Sequence, residues 1–477
     1  KENTFVDFDR DRLIYHMKST EGPRSTVADV NSDGLDDIYI GGAKDSAGKL
    51  FVQTKTGDFI ETNSTLFESD KTGEDLGCLF VDVDQDGDVD LYITSGGNEF
   101  TSSSFALMDR LYLNNGIGNF TKSNQTLPSG KPESTSTVSS CDFDQDGDMD
   151  LFVGVRLRAN LIGIPQNGYL LENDGNGEFK NVTEQIAPEL MGAGMITGAS
   201  WSDYDNDGDQ DLMVLGEWMT IKLYNNDKGH FKEVTEQAGL SKTSGWWNSL
   251  AAADLDGDGD MDYIAGNHGL NSRFRASEEK PISCYINDFD DNGRVEQIIC
   301  TYNGENSYPM VLLHDLTSQL PYLHKKFLKY DSYKSQSIQD VFTEEELKSS
   351  VVHTINMLQS VQLINNGDGT FDIKELPQEA QLAPIYAILI TDVDSDGIKD
   401  VILGGNLYSV KPEIGRYDAS YGVYLKGKAN NVFQSIPTNQ SGLELKGEIR
   451  DFEIMKFQDE KILIVVRNNA PLQIFDF

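Results

Sequence analysis

The sequence predicts an all-β protein built as a ring of small four-stranded sheets, a β-propeller. Three observations predict it. The nine-residue pattern Asp-x-Asp-x-Asp-Gly-x-x-Asp recurs along the chain, each copy followed by a short apolar run. An Asn-Gly-rich signature between apolar arms follows several copies. The copies starting at Asp29, Asp82, Asp142, Asp203 and Asp254 lie 51–61 residues apart, the period of one propeller blade.

The elements of one blade can be read in order. Before the loop comes an apolar stretch, such as Cys78-Leu79-Phe80-Val81 or Leu250-Ala251-Ala252-Ala253. After it comes Leu91-Tyr92-Ile93 or Leu151-Phe152-Val153. Short β-rich runs on both sides of a turn make a hairpin, strands a and b. The second signature spans Leu111–Phe120, Leu170–Phe179, Leu223–Phe231 and Leu363–Phe371. Its Asn-Gly centres are the turns of a second hairpin, strands c and d.

A sixth full copy begins at Asp392, 138 residues after Asp254, too far for one blade. A variant copy at Asp288 comes only 34 residues after Asp254, too soon for a whole one. Residues 268–352 therefore read as an insertion between strands b and c of the fifth blade, carrying the variant hairpin and a helical piece. This gives seven blades in one domain spanning 1–477. Counting the Asp288 copy as its own blade gives eight. Asp451–Ile454, Ile462–Val466 and Leu472–Phe475 supply strands a, b and c of the last blade. Asn3-Thr4-Phe5-Val6-Asp7 resembles strand d elsewhere and is expected to complete it, hiding two sheet edges.

The acidic loops point to a metal. Several carboxylates within nine residues repel one another unless solvated or wrapped around a cation. Side-chain oxygens at positions 1, 3, 5 and 9, with a backbone carbonyl at 7, form a hard oxygen shell suited to Ca²⁺. Glycine at position 6 permits the tight turn. The side-chain ligands are Asp82, Asp84, Asp86 and Asp90, with Asp88 by its carbonyl; Asp142, Asp144, Asp146 and Asp150, with Asp148; Asp203, Asp205, Asp207 and Asp211, with Asp209; and Asp254, Asp256, Asp258 and Asp262, with Asp260. The first loop offers Asp29, Asn31, Asp33 and Asp37, with Leu35; the last offers Asp392, Asp394, Asp396 and Asp400, with Ile398. The variant offers Asp288, Asp290, Asn292 and Glu296, with Arg294. Six or seven structural ions are expected. An EF-hand needs a glutamate at position 12 and flanking helices. Here that position holds Ile40, Ile93, Val153, Val214 and Ala265.

These motifs resemble those of FG-GAP/VCBS-repeat proteins, the group that includes the integrin α-subunit propeller. Blade ends read Ile40-Gly41-Gly42, Gly96-Gly97 and Leu403-Gly404-Gly405-Asn406, closer to the bacterial VCBS branch, whose members often carry an ASPIC/UnbV tail. The resemblance implies a non-catalytic extracellular or cell-surface module, in some cases beside SusC/SusD-like outer-membrane uptake systems. It names no ligand.

Composition excludes other classes. The chain has 477 residues, with 78 acidic and 39 basic side chains and a net charge of −39. That balance opposes nucleic-acid binding, which needs a basic face. With 23 Phe and 19 Tyr a packed core is assured. No apolar run approaches the roughly 18 residues of a membrane span. The opening Lys1-Glu2-Asn3-Thr4 shows no leader pattern, so the compartment is not stated directly.

Other residues are candidates. Cys284 and Cys300 lie symmetrically about Asn292, as a disulfide across the hairpin or as two buried thiols. The six histidines show no paired-ligand spacing. His268, at the end of a b strand, is placed either at the propeller mouth or in a satisfied turn. No nucleophile elbow or phosphate loop is present, so no enzyme is expected. Leu316–Lys348 has near-helical apolar spacing and a basic patch of Lys325, Lys326, Lys329 and Lys334. It reads as a helical cap on the propeller or as a docking element for an acidic protein partner. Trp218, Trp246 and Trp247 are the aromatic candidates for a glycan-binding rim, and blade packing explains them equally well. The leading expectation is a calcium-stabilised scaffold for protein partners outside the cell; a lectin-like glycan binder is the second.

Overall fold

The computed structural model describes residues 1–457 and 460–476. Its strands form eight antiparallel sheets. Seven of these have inner strands that pack side by side in a circuit: Ser25–Ala28, Asp75–Val81, Ser134–Cys141, Met195–Ser202, Ser249–Ala253, Ile385–Thr391 and Glu448–Phe457. The last packs against the first, so the ring closes.

Each blade follows the order read from the repeats. In blade one, Ser25–Ala28 pairs with Asp37–Ile40, then Lys49–Gln53, then Phe59–Thr62. The second strand of each blade is rich in apolar residues because both its faces are covered by neighbouring blades. Asp90–Ser95 and Asp211–Met219 are buried at every position. Each blade interface holds its own apolar cluster. Val30 and Tyr39 of blade one meet Leu91 and Tyr112 of blade two, and Met455 and Ile464 of blade seven meet Ile38 of blade one. Outer strands contribute an aromatic to the preceding blade. Phe231 packs edge-on to Phe143 at 5.7 Å, and Phe371 lies 6.2 Å from Tyr204.

Blade seven departs from expectation. Among the described residues it has three strands, Glu448–Phe457, Glu460–Asn468 and Gln473–Asp476. Residues 3–6 form no strand, and Asp7–Arg10 is a helical turn. The segment goes elsewhere because its polar groups find buried partners there. Asn3 Nδ2 donates to Ser19 O, and the Asp7 carboxylate accepts from Ser19 Oγ at 2.5 Å and Asn98 Nδ2 at 2.7 Å. Consistent with an absent outer strand, Val393 is only half-buried, whereas Val30 and Val83, the matching residues of other loops, are fully buried.

The eighth sheet lies between the second and third strands of blade five, Asp262–Gly266 and Val361–Asn365. Its order is Asn306–Pro309, Glu296–Asn303, Ile282–Asn287, Val351–Ile355, so the excursion continues past residue 352 to a fourth strand. Short helices cover one face, where Leu316, Leu320, Leu323 and Phe327 pack against Phe289, Ile298 and Cys300. The cap therefore sits on the inserted sheet. Its other face holds Cys284 with Phe274 and Ile282. Cys284 pairs with Ile299 and Cys300 with Ser283, so the register is one residue away from facing the thiols. A one-residue offset sends side chains to opposite faces, and both cysteines are free.

Candidate metal centres

Each acidic loop joins strand a to strand b of its blade, or in the Asp288 copy the two middle strands of the inserted sheet, and its side chains first satisfy its own backbone. The position-1 carboxylate accepts from the amides of positions 5 and 6: Asp29 from Asp33 N at 3.1 Å and Gly34 N at 2.7 Å, Asp203 from Asp207 N and Gly208 N at 3.0 Å each. The position-5 side chain accepts from position 7, as Asp86 does from Asp88 N at 3.1 Å. Position 4 takes positive φ throughout, 58° at Gln85 and 62° at Gln145.

The position-9 carboxylate ties the two hairpins of a blade together. Asp150 Oδ2 accepts from Phe143 N at 3.2 Å and its Oδ1 from Asn173 N at 2.8 Å. Asp37, Asp90, Asp211, Asp262 and Asp400 make the same pair of bonds. Glu296 accepts from Phe289 N. The longer glutamate thus reproduces the first of these bonds in the inserted sheet.

These bonds gather carboxylates around a point. One oxygen from each of Asp82, Asp84 and Asp90 lies within 4.8 Å of the others, as in the sets Asp203, Asp205, Asp211; Asp254, Asp256, Asp262; and Asp288, Asp290, Glu296. In the third loop the set is Asp142, Asp144 and Asp146. Positions 1, 3 and 9 therefore converge more consistently than position 5. Asp82 Oδ1, Asp84 Oδ1 and Asp290 Oδ1 are buried without a hydrogen-bond partner. A buried unpaired carboxylate oxygen is costly, and an oxygen-only group of this kind fits a hard cation such as Ca²⁺. Burial pushes Asp90 and Asp211 up to about 7, and Asp37 and Asp262 to about 6, with neighbouring loop carboxylates adding to the rise. Asp150 reaches about 8 and Glu296 about 7 for the same reason. Without a cation these loops hold more negative charge than their surroundings support.

The Asp392 loop is different. Lys426 Nζ bonds Asp394 and lies 3.0 Å from Asp396 Oδ2, so an ammonium already compensates this loop. The signal was a lysine in strand c of blade six.

Three further roles escaped the sequence reading. The position-7 side chains are not idle: Asp88 and Asp148 are buried against the c–d turn, where a Cβ on Gly116 or Gly175 would approach their Oδ2 to 3.2 and 3.3 Å. Position 4 links neighbouring loops: Gln85 Nε2 donates to Gly147 O at 3.2 Å, Gln145 to Gly208 O at 2.9 Å, and Asn206 to Asp260 Oδ1 at 2.5 Å. The first Asn of the Asn-rich turn staples blades. Asn114 Nδ2 donates to Val30 O, Asn173 to Val83 O and Asn365 to Tyr204 O, each on the preceding blade. Fixed position in a repeated signature was the available clue.

The glycan-rim candidates are internal. Trp218, Trp246 and Trp247 are all buried. Trp246 stacks on His268 at 5.1 Å and donates to Glu217 Oε1. His268 is likewise buried rather than at a mouth, and burial pushes it down to about 3.

The FG-GAP-like repeat family model matches residues 29–93, 82–153, 160–214 and 203–265. Residues 29–265 of this β-propeller thus carry FG-GAP-like repeats. Among solved structures, an Agrocybe aegerita lectin recognising non-reducing terminal N-acetylglucosamine is 14% identical, covering 88% of this chain and 79% of that one at a TM-score of 0.44. The V. cholerae biofilm matrix protein Bap1 is 11% identical over 97% and 88%, with a TM-score of 0.39. YCF48 bound to a D1 peptide is 7% identical over 97% and 100%, at 0.40. No curated protein matches the chain. No described helix of this propeller is long and apolar enough to cross a membrane.

Proposed function

We propose that this propeller is a calcium-stabilised, non-enzymatic scaffold that presents its inserted cap to an acidic protein partner at a cell surface. The loops act as structural clamps: each ion ties positions 1, 3 and 9 and so fixes the turn beside both hairpins of a blade. Calcium modules of extracellular proteins bind weakly, at about 10⁻⁴–10⁻³ M, which suits a calcium-rich exterior. The observation that carries the partner reading is the cap. Lys325, Lys329 and Lys334 are exposed there beside Leu328, 83% exposed, and Tyr330, 54% exposed. A basic patch with apolar anchors on a chain of net charge −39 is complementary to an acidic surface.

The test is affinity capture from native membranes with the full chain. Replacing Lys325, Lys329 and Lys334 by Glu and Leu328 by Ser is expected to leave the melting temperature unchanged and to abolish partner recovery. Undiminished recovery by the folded variant overturns the cap as the docking element.

A further inference from the structure

The end of the ring opposite the acidic loops gathers a second set of carboxylates. Glu74 directly precedes the inner strand Asp75–Val81 of blade two, and Glu99 follows its partner Asp90–Ser95. The hairpin therefore brings both to the end where that strand begins, about 20 Å from the loop where it finishes, at about 3.3 Å per residue. Glu2 enters from the N-terminal segment, next to Asn3, whose side chain reaches both, and its carboxylate oxygens are buried. Glu74 is only 2% exposed.

Asn3 Nδ2 lies 3.4 Å from Glu74 Oε2 and 3.3 Å from Glu99 Oε1, so one amide faces both carboxylates. The remaining oxygens, Glu74 Oε1, Glu99 Oε2 and both of Glu2, are buried and have no hydrogen-bond partner. Among the described residues none of the three glutamates forms an ion pair. The nearby guanidiniums are engaged elsewhere, Arg110 with Asp75, Arg156 with Glu21 and Glu217, and Arg450 with Glu448. At Gly97 a Cβ would meet Glu99 Oε2 at 2.4 Å, so this glycine leaves room for the carboxylate to fold back.

We propose that Glu74, Glu99 and Glu2 form a binding site for a hard divalent cation, separate from the acidic loops. Buried carboxylates that form no ion pair carry a large desolvation penalty. A cation among them removes it and satisfies four oxygens at once. Asn98 Oδ1, beside Glu99 in sequence, and Thr20 Oγ1 are also buried and unpartnered. They are neutral oxygens of the kind that complete a calcium shell. The competing state is a proton shared between Glu74 and Glu99.

Counting bound calcium distinguishes these states. The full chain is stripped with chelator, dialysed against calcium at pH 8, and its bound metal measured by mass spectrometry. Glu74→Gln and Glu99→Gln are each expected to bind one ion fewer than the parent. The Glu74→Gln/Glu99→Gln pair loses the same single ion, and Glu74→Gln with Asp84→Asn loses two. Equal stoichiometry in the parent and both single variants overturns the site, whatever Asp84→Asn does to the loops. If Glu74→Gln fails to fold, Glu2→Gln, at a half-buried position, is expected to weaken one site about tenfold, and no change overturns it. In crystals soaked with strontium, anomalous density between Glu74 and Glu99 is expected; its absence at full loop occupancy rejects the proposal.

Discussion

At the loop end of the ring, one hydrogen-bond pattern is repeated blade after blade: a position-9 carboxylate ties hairpin to hairpin, and an asparagine staples each of several blades to the last. At the opposite end the N-terminal strap makes contacts that do not repeat from blade to blade. Lys18 and Arg156 both pair with the buried Glu217, at 2.5 and 2.8 Å, while Arg156 also holds Glu21 at 2.7 Å. Arg450 Nε donates to Glu21 O and Asn468 Nδ2 to Thr20 O. His16 sits beside Tyr417, and Met17 N donates to Ser409 O. Residues 16–21 thus touch blades three, four, six and seven in one crossing. The loop end divides its stability among many similar small contacts. The strap end concentrates it in one buried charge network, where losing a partner strands a charge.

Breaking the loop end altogether has the largest effect. A chelator is expected to lower the melting temperature strongly, since each independent site contributes about 2.7 kcal/mol when calcium is a hundredfold above its Kd. Calorimetry with and without chelator checks this, and Asp84→Asn should shrink the difference by one site.

At the strap end, Glu217→Ala leaves Lys18 buried without its partner and Arg156 with Glu21 alone, and is expected to cost about 3–5 kcal/mol in denaturant unfolding. The same end sets the acid response. Burial alone would raise the Glu217 carboxyl, but Arg156 and Lys18 outweigh it and hold it far below its usual range. Its contribution is present above the unfolded value of about 4.5 and is lost as pH falls below that. Burial drives His268 down to about 3, so the folded state disfavours its protonated form. The contribution of neutral His268 is therefore expected to decline as pH falls from 6.5 towards 3, and that of Glu217 is lost below about 4.5, whereas the raised loop carboxylates act in the opposite sense. Melting temperatures across this range should show the earlier decline flattened in His268→Gln.

Smaller effects belong to the repeated contacts. Asn173→Ala removes two bonds from a buried amide, to Val83 O and Met149 O, and is expected to cost about 1–3 kcal/mol. Gln145→Ala cuts a half-exposed link between loops and should change stability by no more than about 0.5 kcal/mol. A larger loss for Gln145→Ala than for Asn173→Ala would mean that the loops, not the staples, couple the blades.

The contrast also explains what could be read in advance. A repeat is legible because each copy answers the same local requirement: a turn after an apolar strand, a glycine at positive φ, oxygens aimed inward. That determined the blades, the loops, and the place of the insertion within blade five. The asparagine staples were visible as a pattern but not as a function, because their partners lie 83 to 161 residues away. The tryptophans looked like a rim because sequence places them beside strand ends. Only packing shows Trp246 enclosed by His16, His268 and Phe274.

By itself, then, the chain's order of residues determined the repeating unit and the chemistry of its turns, since both are set by neighbours within nine residues. The tertiary structure decided where the single-copy charges went. Asn3 and Asp7 have the look of an outer strand, yet burial rewards them more for meeting Glu74, Glu99 and Asn98 than for pairing with an exposed sheet edge. The register of the inserted hairpin likewise separated Cys284 from Cys300 by one position. A polar group's partner is selected by the three-dimensional cost of leaving it unpaired, and that cost has no period along the chain.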